Sequence, residues 1–320
     1  MTRSTKQMLA DSRRAGKVQA SAASVFQQPD PEALPALGAG LLNSPDSLAD
    51  LIAEETKTAL AARLFAGEQQ TNSGTAWFVS LDRENLEVDG LGTRAEGAEY
   101  PMVRIKPGDL ESVSTDDIGG KFRVTDEAVQ AGALNIISDG IQLVSRALRD
   151  RLDDMTLTAL ETATESTGHG VMTVHNWQGV QLAGGTPTPA ENTPLASLTR
   201  AKVALRRQGL AASADTLVVA PEDEATLRIA YGADLDSLLT GLGLSILVSD
   251  RMPVDRAYLL DAYQLGGVVS RNGLTVETWR EAAIRSTWVQ AFLEPAVYLA
   301  RPGNVIALTG ITTGTNPNQE

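Results

Sequence analysis

One stripe of apolar residues runs through the middle of the chain at helical spacing, and it restricts the fold more than any other feature. Its members recur at steps of three and four, which places them on one face of a helix: Leu134, Ile137, Ile141, Val144, Leu148, Leu152, Met155 and Ala159. From Leu134 to Leu160 such a helix is about 40 Å long. Gly132 and Gly140 lower the helical preference of its first part. The sequence therefore predicts a long rod with one buried face.

A charged hairpin precedes this helix. The residues from Trp77 to Asp82 alternate with the period of a β-strand, and a second alternating run returns from Met102 to Lys106. Asp89-Gly90 is the candidate turn between them. From Asp82 to Glu99 the chain carries six acids and two bases: Asp82, Glu84, Glu87, Asp89, Glu96, Glu99, Arg83 and Arg94. An isolated two-stranded hairpin is only marginally stable in water. It needs a surface to lie on, either its own domain or another molecule.

Further helices and strands follow from the same periodicities. Helical spacing predicts an amphipathic helix between Ser44 and Phe65 and another from Pro194 to Arg207. Lys121–Thr125 alternates like a strand and leads into the long helix, with Thr125 as the N-cap. Short apolar strands separated by turns predict a compact α/β lobe from Thr216 to about Arg280. The apolar end of the chain predicts strands that return to pack on the long helix.

Composition excludes several classes of function. The formal net charge of −13 argues against a broad surface that grips nucleic acid, because such a surface needs clustered Lys and Arg. The absence of cysteine excludes a disulfide framework, a thiolate metal site and a Cys nucleophile. His169 and His175 lack a third ligand at a familiar interval, and no nucleophile elbow or phosphate loop occurs. No apolar run approaches the roughly 18 residues of a membrane span. We therefore predict no catalytic residue, cofactor, metal or membrane partner.

The order of these motifs resembles the major capsid proteins of tailed bacteriophages, which have the Hong Kong 97-type shell fold. The resemblance covers residues 70 to 310, and four motifs carry it: EGAEYP, KFRVTDEA, LVVAPEDEATLR and EPAVYLARPGNVIAL. It implies an α+β fold with an N-terminal arm, an extended β-hairpin loop, a peripheral domain with a spine helix within Thr125 to Ala159, and an α/β axial domain.

The resemblance also implies domain boundaries. They are 1–70 for the arm with its amphipathic helix, 71–120 for the extended loop, 121–215 for the peripheral domain, 216–282 for the axial domain, 283–312 for return strands of the peripheral domain and 313–320 for the tail.

A function follows from the resemblance. Such a chain is expected to be a major capsid protein that self-assembles into pentamers and hexamers of an icosahedral shell around double-stranded DNA. Its expected partners are further copies of itself, packaged DNA held by weak non-specific contact, a portal protein, and scaffolding and decoration proteins. Its expected location is the virion, and the host cytoplasm during assembly.

Three groups of contact residues are expected. By resemblance, a neighbouring subunit contacts the extended loop at Glu96, Gly97, Glu99, Tyr100 and Pro101. Possible basic partners for this acidic loop are Arg149, Arg151, Arg206 and Arg207. The basic N-terminal arm of an acidic chain suggests contact with DNA or a scaffold through Arg3, Lys6, Arg13, Arg14 and Lys17. A frayed terminus without a role is the alternative for the arm.

Two other interpretations stay open at this point. An encapsulin-type shell has the same fold, and its lumen contains enzyme instead of DNA. A soluble enzyme with an unrecognised active site is the rival from another class, and a monomer with turnover would favour it.

Overall fold

The computed structural model describes residues 34–81, 85, 92–94, 96–100, 108–167, 170–184, 186–207 and 212–313. The helices are α1 (Leu34–Leu42), α2 (Pro45–Thr56), α3 (Leu60–Leu64), α4 (Asp126–Gln130), α5 (Leu134–Ser166), α6 (Pro194–Arg207), α7 (Pro221–Tyr231) and α8 (Leu235–Leu242). The strands are β1 (Glu68–Gln70), β2 (Thr75–Ser80), β3 (Asp109–Ser114), β4 (Ile118–Thr125), β5 (Val171–Thr173), β6 (Thr216–Val219), β7 (Ser245–Val248), β8 (Arg256–Leu260), β9 (Gly266–Ser270), β10 (Thr275–Glu281), β11 (Ser286–Leu293), β12 (Pro295–Leu299) and β13 (Val305–Thr309).

The strands of the described ranges pair into three sheets and one two-stranded ribbon. The largest sheet has the order β5-β13-β8-β6-β7, and the smaller sheets have the orders β10-β11-β4 and β1-β9-β12. The ribbon consists of β2 and β3, which pair antiparallel. We call the five-stranded sheet together with α6, α7 and α8 the lobe.

Helix α5 is the predicted rod, and its 33 residues make it about 50 Å long. The first half of its apolar stripe packs on the inner face of the β10-β11-β4 sheet and on α2. The buried residues of this first core include Leu48, Ile52, Val124, Ile137, Ile141, Val144, Leu148 and Val289. Burial of a continuous apolar face explains why a helix of this length is stable despite two nearby glycines.

The second half of α5 packs on the lobe. Val305 and Ala307 of β13 belong to the core beneath α5, whereas Ile306 and Leu308 belong to the core beneath α6. This alternation follows from the two-residue period of a strand. Both faces of the five-stranded sheet are covered, which explains why its strands read as nearly continuous apolar runs in the sequence.

A break at Gly132 corrects the predicted continuous spine helix from Thr125 to Ala159. Thr125 does cap α4, since its side chain accepts a hydrogen bond from the amide of Ala128. Helix α4 ends after Gln130, and Gly132 adopts a positive φ of 70°. The amide of Gly132 donates to the carbonyl of Val129, and the amide of Ala133 to that of Ala128, each over 3.0 Å. This hydrogen-bond pattern ends a helix in a left-handed residue, so α5 starts anew at Leu134.

The chain differs from the predicted arrangement in four further places. Helix α1 was not predicted, and the single helix expected between Ser44 and Phe65 is divided into α2 and α3. Strand β13 was placed with the peripheral domain but lies inside the sheet of the lobe. Strand β10 was placed in the axial domain but pairs with β11, next to β4. Both strands are short and apolar on one or both faces, and such a pattern does not specify the neighbour of a strand.

The predicted run Met102–Lys106 and the turn Asp89-Gly90 lie outside the described residues.

A buried carboxylate joins α5 to two other elements. Asp153 accepts a hydrogen bond of 2.7 Å from the amide of Leu60 in α3 and one of 3.2 Å from the hydroxyl of Ser249, which follows β7. Only 6% of Asp153 is exposed, and burial raises its pKa above the ordinary carboxyl value. Asp153 therefore fixes α3 and the lobe to the same turn of the long helix.

Replacing Asp153 by alanine is expected to destabilise the subunit by about 2–4 kcal/mol, because the Leu60 amide and the Ser249 hydroxyl would lose a buried partner. Equilibrium unfolding in urea measures this change. Asp153→Asn keeps an acceptor oxygen for the amide and should cost clearly less. Equal losses for both variants would show that the hydrogen bond to Leu60 is not the source of the stability.

Candidate self-assembly surface

The ribbon has one open face and one anchored face. In its antiparallel register Trp77 is opposite Ser112 and Val79 is opposite Leu110, so these residues share a face. The exposed fractions are 67% for Trp77, 47% for Val79 and 67% for Leu110. Large apolar side chains at such exposure, side by side on a two-stranded ribbon, form an uncovered apolar surface. We call Trp77, Val79 and Leu110 the open face.

The anchored face lies on the body of the same chain. The ring of Phe78 packs against that of Tyr298 in β12, with 4.9 Å between their centroids. The amide of Leu81 donates to the carbonyl of Ala300 over 2.8 Å, and that of Asp116 donates to Pro295 over 3.0 Å. The ribbon is therefore held at both of its ends by β12 and the residue that follows it, while its open face has no cover among the described residues.

The predicted contact residues of the extended loop are exposed wherever the structure describes them. Glu96, Gly97, Glu99 and Tyr100 are all exposed, and Tyr100 retains 75% of its surface. Gly97 has a positive φ of 82°, which a tight turn permits for glycine. The guanidinium of Arg94 lies 4.8 Å from the centre of the Tyr100 ring and donates to the carbonyl of Ala98 over 3.0 Å. Pro101 lies outside the described residues.

The four predicted basic partners do not form one cluster. Arg149 pairs with Asp150 at 3.2 Å, and Arg151 lies 4.0 Å from Asp116, so both arginines of α5 have acidic neighbours in their own chain. The other two, Arg206 and Arg207, are exposed at the end of α6 in the lobe. The arm residues Arg3, Lys6, Arg13, Arg14 and Lys17 lie outside the described residues.

Sequence reasoning missed a basic and aromatic patch on the outer face of the β10-β11-β4 sheet. Trp279 and Trp288 are directly opposite each other in the β10-β11 register, and their rings stack with centroids 6.1 Å apart. The ammonium of Lys121 lies 5.0 Å from the centre of the Trp288 ring, and the guanidinium of Arg123 lies 5.9 Å from it. Lys121 and Trp288 are more than 150 positions apart in the sequence. The cross-strand register is the signal that brings them together, and it is not visible in the sequence.

Two structural findings bear on other classes of site. Among the residues that the structure describes, His, Asp and Glu side chains do not gather in a group that would hold a metal ion. His169 lies outside those residues. Within the same ranges, no helix is both long and apolar enough to cross a bilayer.

The architecture defines a class of protein. An anchored ribbon, a long helix that packs against two cores, and an α/β lobe completed by the C-terminal strand make up the Hong Kong 97-type shell fold. The following solved structures are among those that share the fold with this chain.

A virus-like particle from Pyrococcus furiosus matches with a TM-score of 0.53 and 13% identity, over 82% of this chain and 98% of that one. The capsid of the cyanophage P-SCSP1u matches with a TM-score of 0.55 and 15% identity, over 76% and 85%. A structure from Microbacterium phage Oxtober96 matches with a TM-score of 0.55 and 13% identity, over 78% and 90%.

Sequence similarity then identifies the family. The family described as phage capsid protein matches residues 109–308, which is more than half of the chain. The chain belongs to the phage capsid protein family, and it is a structural protein of a capsid shell. No curated protein matches it in sequence. The predicted fold and family resemblance are thus confirmed.

Proposed function

We propose that this chain is the major capsid protein of a tailed bacteriophage, and that its copies form the pentamers and hexamers of an icosahedral shell enclosing double-stranded DNA. Membership of the family does not by itself give the assembly state of the chain, the contents of the shell or the type of phage. The proposal adds these three points. On this proposal the protein is assembled in the host cytoplasm and then remains in the virion.

The open face of the ribbon is the observation that carries the proposal. A two-stranded ribbon is marginal by itself, and contiguous exposed apolar side chains indicate a surface that another molecule covers. The cover we propose is the next copy of the chain. Because the surface that receives the ribbon differs from the ribbon itself, this contact is head-to-tail, and head-to-tail contacts close into rings when the rotation permits.

The proposed contact continues along the extended loop. Its members are Glu96, Gly97, Glu99, Tyr100 and Pro101. The proposed basic partners on the next copy are Arg149, Arg151, Arg206 and Arg207. Exposed ion pairs contribute only about 0–1 kcal/mol each, and two of these arginines already have acidic neighbours. The apolar open face is therefore expected to provide most of the affinity, and the charges are expected to orient the contact.

Further partners belong to the same proposal. The basic arm residues contact packaged DNA or a scaffold, and a portal protein and decoration proteins attach to the shell. The net charge of −13 supports weak DNA contact elsewhere, because an acidic lumen repels phosphate and leaves the genome free to move.

Expression of the full chain, followed by sedimentation and negative-stain electron microscopy, tests the proposal. We expect rings of five and six subunits and closed shells. Particles from phage-producing cells should contain DNA that is protected from nuclease. A chain that stays monomeric at every concentration, with and without its neighbouring phage proteins, would show that the proposal is wrong. A packaged enzyme in place of DNA would favour an encapsulin-type compartment.

A further inference from the structure

Strand β4 leaves one edge of its sheet open. It pairs with β11 on one side, and among the described residues no strand lies on its other side. Apart from the ladder to β11, the backbone groups of residues 119–124 make no hydrogen bond within the described part of the chain. An unpaired edge of this kind is a template on which a further strand can pair.

The charged side chains of β4 do not cover this edge. Lys and Arg commonly protect an open strand from unwanted pairing. In this sheet, however, the ammonium of Lys121 and the guanidinium of Arg123 lie over the ring of Trp288 in β11, at 5.0 and 5.9 Å from its centre. Both cations therefore lean towards the paired side of β4, and the open side stays accessible.

An exposed apolar ridge of α5 runs beside the open edge. Ile136, Gly140, Leu143 and Ala147 are spaced by four, three and four residues, so they share one face of the helix. Gly140 contacts the edge strand, since a Cβ atom there would lie 2.4 Å from the Phe122 ring. Around this contact Ile136 is 41% exposed and Leu143 is 70% exposed, and Ala147 is exposed as well. We call the open edge of β4 and this ridge together the edge strip.

The N-terminal arm joins the fold next to the edge strip. Helix α1, which begins at Leu34, packs on the start of α5, because a Cβ atom on Gly38 would lie 3.1 Å from a methyl carbon of Leu134. Along α5, Leu134 and Leu143 are about 13 Å apart. The chain between Phe26 and Leu34 can span about 25 Å when it is extended. The arm is therefore long enough to bring Phe26 onto the strip.

The arm contains a short segment whose residues suit a strand. Residues 23–28 have the sequence ASVFQQ, in which Val25 and Phe26 favour strands. Pro29 follows directly and would end the pairing. In a strand, Ser24 and Phe26 would point to one side and Val25 to the other. One side of the segment could therefore cover the ridge of α5.

We propose that residues 23–28 add a strand to the open edge of β4 in the same subunit, with Phe26 covering Leu143. Main-chain hydrogen bonds to β4 and one apolar anchor are the usual elements of such strand addition. The same subunit is the source because α1 tethers its own arm beside the strip, at a higher effective concentration than the arm of another copy. The inference concerns one subunit and does not rest on the proposed shell.

The added strand should run parallel to β4. Gly120 lies against Val144 and Phe122 against Gly140, so β4 runs towards the start of α5. The arm must also run towards the start of α5, because it continues into α1. The basic residues of the arm precede the docked segment, and they stay available for the contacts proposed above.

Hydrogen exchange of the full chain, followed by mass spectrometry, tests the added strand. The edge-facing amides of residues 119–124 should exchange about tenfold faster in Phe26→Pro, which removes the anchor and disfavours a strand. Leu143→Ser should accelerate the same amides while the subunit stays folded, because Leu143 is largely exposed. Ser4→Pro in the basic part of the arm and Val203→Ser on α6 are the matched controls, and both should leave this exchange unchanged. Equal exchange in the wild type and in Phe26→Pro would overturn the proposal.

Cysteine cross-linking tests the register and the source of the arm. The chain has no cysteine, so two introduced thiols react without competition. Ala147→Cys combined with Ser24→Cys should give a cross-linked monomer with a short bis-maleimide, because Ser24 shares the side of Phe26. Ala147→Cys combined with Val25→Cys is the matched control and should react much more slowly. Equal rates for the two pairs would rule out the strand, and cross-linked dimers would show that the arm of another copy is bound. Either result contradicts the proposal.

Discussion

Replacing Trp77 and Leu110 together with serine is expected to abolish shell assembly while the subunit stays folded. Both side chains lie on the open face of the ribbon and are 67% exposed, so the isolated subunit loses only the smaller, covered part of their surface. Buried tryptophans at interfaces often contribute about 2 kcal/mol or more. A combined loss of about 3 kcal/mol weakens each contact by more than about 100-fold. Because every subunit of a ring makes this contact, sedimentation should show no closed particles.

Circular dichroism and thermal unfolding of the same variant show whether the fold is intact. The matched control is the double variant Trp77→Phe with Leu110→Met, which keeps an apolar open face and should still assemble. Normal shells from the serine variant would mean that the open face is not a contact between subunits. Failure of the conservative variant would mean that the ribbon needs these two side chains for its own structure.

Replacing Gly140 by alanine is expected to lower the free energy of unfolding by about 1–3 kcal/mol, although alanine favours a helix over glycine by about 1 kcal/mol. Gly140 lies inside α5 where the helix crosses β4. A Cβ atom there would lie 2.4 Å from the nearest ring carbon of Phe122. Two further carbons of this ring are within 2.8 Å, so the whole ring has to move. The steric cost in the first core should exceed the gain in helix propensity.

Gly40 provides the control, because it lies in α1 and an added Cβ atom meets nothing within 4 Å. Gly40→Ala should therefore stabilise the subunit by about 0.5–1 kcal/mol. Denaturant unfolding of both variants on one scale gives the comparison. A stabilising effect at Gly140 would show that α5 and β4 can separate without cost, which would contradict the close packing of the first core.

Much of the fold is predictable because it is encoded locally. The apolar stripe of α5 has a period that only a helix produces, and the start of α6 at Pro194 follows from the preference of proline for the first helical turn. Thr125 was recognisable as an N-cap, and its side chain makes the expected bond. Gly132 indicated a weak helical preference in this region. The position of the break, however, depends on a φ of 70° that the sequence does not specify.

Strand partners are less predictable, because they depend on contacts between distant parts of the chain. Strand β3 has the sequence DLESVS, in which neither face is consistently apolar. Most of its side chains are exposed. It escaped notice for that reason, although it is the partner of β2. The sheet to which strand β13 belongs could not be predicted, because an apolar strand covered on both faces suits any buried sheet.

The residues of the candidate site were likewise predictable only in part. Glu96, Glu99 and Tyr100 were predicted as contact residues from the motif EGAEYP; they are exposed in the structure, and their role in a contact stays a prediction. The open face could not be identified, since the strand pattern of Trp77 and Val79 does not reveal which side is covered. The basic partners were chosen by charge alone. Their acidic neighbours, Asp150 and Asp116, become apparent only when the chain is folded.

The long helix has a mechanical consequence. Its two halves are inserted into two different hydrophobic cores, so neither region can pivot about the other without withdrawing apolar side chains from one of them. In the proposed shell, identical subunits meet at unequal curvature in rings of five and rings of six. Bending the body would withdraw apolar side chains from a packed core. The inequality is therefore expected to be taken up at the contacts between subunits and not within the body.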